Sequence, residues 1–87
     1  RESDGTLILT LGRVKGGTAL TIKFAQEYGK PYLVIDLRKA GSPETAREWR
    51  KDNRLKVLNV AGPRESESPG IHDQAVHFLR ELFIEKE

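Results

Sequence analysis

Three short apolar runs, Thr6–Leu11, Pro31–Leu37 and Lys56–Ala61, are each followed by a glycine- or proline-marked break and then by a longer stretch of helical periodicity. This threefold alternation limits the fold more than any other feature, because each run is too short for a helix and each intervening segment is long enough to cross over a sheet. Such crossovers require parallel strands and, by the handedness of twisted strands, right-handed connections. The expected architecture is therefore α/β: a three-layer βαβαβα unit with parallel strands, half of a larger doubly wound sheet. A chain of 87 residues buries one small core and no more. All three strands are apolar, and Pro31–Leu37 reads as buried on both faces, so a sheet this narrow calls for a neighbour at its edge. That neighbour is either a second copy, giving a homo-oligomer, or a missing amino-terminal half. The sequence starts at Arg1 and contains no methionine, which fits a piece of a longer reading frame.

The helices have local signatures. After Gly16-Gly17-Thr18, the residues Leu20, Phe24 and Tyr28 fall at helical spacing, widened by Ala19, Ile22 and Ala25, and predict an inward apolar stripe. Gly29 reads as the C-cap glycine, with Pro31 just beyond. Ser42 and Pro43 form a helix start, with the helix running to about Asn53 and turning Ala46 and Trp49 inward. The last helix is the clearest, with Ile71, Ala75, Phe78, Leu79, Leu82 and Phe83 on one face. Ser66 or Ser68 is its expected cap, with Pro69 in the first turn.

Composition removes several functions. Fifteen basic and thirteen acidic residues are interspersed, so no basic patch marks a nucleic-acid binder, and no apolar run is long enough to span a membrane. Without cysteine there is no disulfide, thiol nucleophile or cysteine zinc site, and a cytoplasmic protein is the default. His72 and His77 are five residues apart and point to different helix faces, which suits surface positions better than metal ligation. No GxSxG, Walker or GxGxxG pattern occurs.

What chemistry remains lies where parallel sheets bind ligands, at the carboxyl ends of the strands. Gly16, Gly17 and Thr18 open the first helix, where close backbone approach and free amides suit phosphate or another oxyanion; alternatively they form a tight turn with Thr18 as N-cap. Gly62, Pro63, Arg64, Glu65 and Ser66 follow the third strand, and the Arg64 fork suits phosphate, a molybdate-like oxyanion or a carboxylate, unless the loop is simply solvated. Asp36 ends the second strand, where a carboxylate accepts ribose hydroxyls, caps the next turn, or pairs with Arg38 or Lys39.

The blocks Ser3–Thr10, Gly16–Thr21, Lys30–Leu37 and Leu58–Ser66, with Pro69-Gly70-Ile71, together resemble the putative molybdenum carrier family, a circularly permuted YpsA-like branch of the Rossmann-like proteins related to lysine-decarboxylase-like enzymes. The resemblance covers nearly the whole chain. It implies a Rossmann-like fold and a binding protein for a nucleotide-like or phosphate-bearing small molecule, with molybdenum cofactor as the named candidate. It assigns the binding to Gly16, Gly17 and Thr18 and to Gly62, Pro63, Arg64, Glu65 and Ser66. Family members carry a further amino-terminal half, so the resemblance makes residues 1–87 a single α/β domain corresponding to the carboxyl-terminal half. Two other functional classes stay open at this point: a nucleotide-ribosyl hydrolase, and a structural remnant that binds nothing. The helix start lacks a nearby glutamate, its polar followers being Thr18, Thr21 and Lys23, which favours binding over hydrolysis.

Overall fold

The structure, a computed structural model, describes residues 4–14, 16–39 and 43–83. The chain runs β1 (Gly5–Thr10), α1 (Gly17–Glu27), β2 (Tyr32–Asp36), α2 (Pro43–Asp52), β3 (Leu58–Ala61) and α3 (Ile71–Phe83). All strands are parallel in the order β2-β1-β3, with Leu7 opposite Leu33 and Val60, and Thr10 opposite Asp36. The fold is the Rossmann-like α/β arrangement read from the sequence. Because the second crossover returns past β1, α1 lies on one face of the sheet while α2 and α3 share the other.

Alternation along β1 divides its side chains between the two faces. Leu7 and Leu9 join Ile35, Ala46, Phe78 and Leu82 in the main core, against which Leu33, Trp49, Leu58 and Leu79 pack. Trp49 is thus a core anchor, as its helical position predicts. All six residues of β1 are buried, as expected of the middle strand. β2 differs from expectation: Val34 remains 36% exposed, so this strand is not covered on both faces. Val34 lies on the α1 side, which a single helix covers only in part.

The stripe of α1 also departs from its sequence pattern. Thr18 and Ala25 are buried, whereas Leu20, Phe24 and Tyr28 are exposed. The periodicity identifies an apolar helix face correctly, but the helix rests on the sheet through its small residues and leaves the bulky ones beside it. Its end is as read: Gly29, at φ +68°, lets the amides of Gly29 and Lys30 return to the carbonyls of Gln26 and Ala25. The cap assigned to Ser42 lies outside the described residues. At the amino edge, Asp4 precedes β1 and accepts bonds from the Lys56 and Val57 amides at 2.8 and 2.9 Å, so β3 begins at Leu58 and not at Lys56.

Candidate functional site

β1 connects to β2 on one side and β3 lies on the other, so the strand order reverses between β1 and β3. Loops leaving those two strands diverge to opposite faces there, which opens a crevice at the carboxyl edge. Gly62 shapes it. A Cβ at that position would stand 2.5 Å from the Leu9 carbonyl oxygen, so only glycine lets the chain leave β3 this close to β1. A shallow cleft of about 230 Å³ lies alongside, bordered by Leu9, Gly62, Pro63, Glu65, Ile71 and His72.

α1 begins on the β1 side of this crevice. Gly16 is its N-cap at φ +62° and ψ −134°, a conformation glycine adopts without strain, and no side chain caps the helix. Ala19 and Leu20 donate back to the Gly16 carbonyl at 3.1 and 3.3 Å. The amides of Gly17 and Thr18 have no partner among the described residues, and a Cβ at Gly16 or Gly17 would meet nothing within 4 Å. Thr18 is buried and is not the cap that one reading of the sequence gave it. Among the described residues the helix start is therefore open, with no acidic side chain in its first turn to oppose the positive end of the dipole.

Around β3 the arrangement differs. Glu65 reaches forward to the start of α3, its Oε2 accepting from the Gly70 amide at 2.7 Å and its Oε1 from the His72 amide at 2.9 Å. The cap expected from Ser66 or Ser68 is supplied by Glu65 instead, because its longer side chain spans the intervening turn and offers two acceptor oxygens. These two amide bonds, with a smaller electrostatic contribution from His72, hold the Glu65 carboxyl below its usual pKa. Arg64 and Ser66 are exposed, and the Arg64 guanidinium has no partner among the described residues. The Arg64 carbonyl accepts the Glu67 and Ser68 amides at 3.0 Å, fixing the turn that carries the side chain.

Asp36 stands one strand further over, where it latches two loops. Its Oδ1 accepts from the Gly12 amide at 2.9 Å and the Arg38 amide at 3.0 Å, bonds that lower its pKa. Arg38 lies 3.9 Å from the same oxygen and covers Gly12, whose φ of +93° bends the loop beneath it. Thr10 adds a bond from its hydroxyl to the Gly12 carbonyl at 3.0 Å. The Arg38 amide bond is the turn cap that one reading of Asp36 gives, whereas the bonds that tie Gly12 to Asp36 and to Thr10 are not among its sequence readings. Their signal was the glycine immediately after a strand whose neighbour ends in aspartate.

The nine predicted residues thus lie along one edge, with Gly62, Pro63 and Glu65 on the cleft and Gly16, Gly17, Thr18, Asp36, Arg64 and Ser66 outside its lining. What the edge offers without prior engagement is donors: backbone amides of α1 and the Arg64 guanidinium. No group of three or more histidine, cysteine or acidic side chains is arranged for a metal among the described residues. None of the described helices is long and apolar enough to cross a membrane.

No curated protein matches the chain. The crystal structure of a protein named putative molybdenum carrier protein, from Syntrophus aciditrophicus SB, superposes with a TM-score of 0.84 at 43% sequence identity. The match takes in 97% of this chain and 54% of that one, so this chain spans about half the length of its solved relative. The family described as circularly permutated YpsA SLOG matches residues 1–83, and at that extent the chain belongs to that family.

Proposed function

We propose that this protein binds a phosphate-bearing small molecule through the start of α1 and the Arg64 loop, and serves as a carrier and not a catalyst. The observation that carries this reading is the open N-terminus of α1, at the same sheet edge as a loop whose one arginine has no partner among the described residues. Amides and a guanidinium suit an oxyanion and repel a cation, so a metal-containing cargo would be held by its phosphate or oxyanion part. The relative's name makes molybdenum cofactor the first cargo to test, with a nucleotide second. Prior engagement of Asp36 and Glu65 by backbone amides favours binding over a hydrolase that needs a free carboxylate.

The half-length match supports reading residues 1–87 as one half of a larger doubly wound domain, with the crevice completed by further chain. The absence of cysteine suits a cytoplasmic setting. Calorimetric titration with phosphate, molybdate and nucleoside phosphates tests the function. Saturable binding of a phosphate-bearing ligand supports it, and failure of all three classes to bind the folded protein refutes it.

A further inference from the structure

Arg38 leans away from its own strand. It follows the end of β2, yet its side chain reaches back over the exit of the middle strand, where a Cβ on Gly12 would stand 3.2 Å from both its Cζ and one Nη. Glycine leaves a shelf there, and the Gly12 and Arg38 amides both donate to Asp36 Oδ1, which holds shelf and arginine together. Asp36 does not use up the guanidinium. Their contact runs from Nε to Oδ1 at 3.9 Å, beyond hydrogen-bond length, and the arginine side chain is 65% exposed. Its two Nη groups have no acceptor among the described residues. An arginine whose backbone is tied down while its donor fork is left over is suited to an external anion.

Thr18 adds a second, independent observation. It is 6% exposed, and its hydroxyl bonds to no described residue, although a buried hydroxyl ordinarily has a partner. Side chains of a helix tilt toward its N-terminus, so this hydroxyl leans toward the open amides of α1. In the order β2-β1-β3, the turn bearing Arg38, the start of α1 and the loop bearing Arg64 leave three neighbouring strands, spaced about 4.8 Å apart. A row of donors that long is more than one tetrahedral anion fills, and it suits two in line. Resting on the reading of α1 and Arg64 given above, we propose that the ligand carries two linked phosphates, one held by the α1 start and Arg64 and the other by Arg38. Arg38 is then the residue that selects a diphosphate over a monophosphate. The chemical class is a diphosphate group, free or within a nucleotide.

Calorimetric titration with orthophosphate, inorganic diphosphate, AMP and ADP tests the proposal. The expected result is tighter binding of diphosphate than phosphate and of ADP than AMP, each by roughly tenfold or more. Arg38→Ala removes most of that preference while changing phosphate affinity far less, and Arg38→Lys recovers part of it. Arg38→Gln, which keeps a polar stem over Gly12 without the charge, takes the place of Arg38→Ala should the latter fail to fold by circular dichroism. Arg80→Ala deletes an equal charge in the last turn of α3, away from the carboxyl edge, and leaves the preference intact. Equal affinity for one phosphate and two, or a preference that survives in a folded Arg38 variant, overturns the proposal and leaves phosphate binding at α1 standing. Failure of every anion to bind overturns that reading and this one together.

Discussion

Two helices, α1 and α3, start at the same edge of the sheet, and they begin in opposite ways. α3 has its first amides filled by Glu65 from its own chain, whereas α1 starts on glycine with no side-chain acceptor. The dipole and the free amides are common to both. What differs is whether the preceding loop contains a carboxylate at the right reach. A helix start that a protein satisfies internally serves stability, and one left open is available to an external anion.

The largest effect expected from disturbing this contrast belongs to Gly62, which holds the Glu65 loop against β1. Gly62→Val drives a side chain into the Leu9 carbonyl and is expected to cost about 1–3 kcal/mol in urea denaturation, with loss of ligand binding. Arg64→Ala comes next. Charge-assisted bonds of about 1.5–3 kcal/mol correspond to binding weakened by roughly 10- to 150-fold, while stability changes by about 0.5 kcal/mol or less because the side chain is exposed. Arg64→Lys restores only part of the affinity, since an ammonium lacks the planar fork.

Gly17→Glu makes α1 resemble α3. There is room for the side chain, and a carboxylate in the first turn is expected to stabilise the helix by about 0.3–1 kcal/mol in thermal unfolding while suppressing phosphate binding. Glu65→Gln performs the reverse change: it weakens the cap, lowers the melting temperature, and makes that loss partly recoverable by added phosphate.

The smallest effect is acid sensitivity. Glu65, Asp36 and Asp4 all have folded-state pKa values below their ordinary ones, held there chiefly by backbone amides. Their stabilisation is complete above the ordinary values of 4.5 for glutamate and 3.8 for aspartate and is lost as pH falls through the lowered folded values. A pH series of melts should therefore decline on the acid side, and Glu65→Gln should flatten that decline.

The sequence was most legible where local patterns act alone. Alternating strand and helix segments led to the fold, Gly29 to the end of α1, and Ala46 and Trp49 to the core face of α2. It was less legible where the outcome depends on what lies across space. The Leu20–Phe24–Tyr28 spacing marks an apolar face, but no local rule says whether a second layer covers it. Glu65 looked like a ligand contact because the reach of a carboxylate to amides five and seven residues ahead depends on the intervening turn. Strand order, which decides that the loops after β1 and β3 share one crevice, has no signature in these residues.

The central claim is that α1, and not α3, presents an anion-binding start. An amide-resolved NMR titration of the isotope-labelled chain with inorganic phosphate tests it most directly. Saturable shifts are expected at Gly17, Thr18 and Ala19 and at the Arg64 side chain, with Gly70 and His72 unmoved, and they should disappear in Gly17→Glu. Shifts centred on Gly70 and His72, or none at the start of α1, would contradict it.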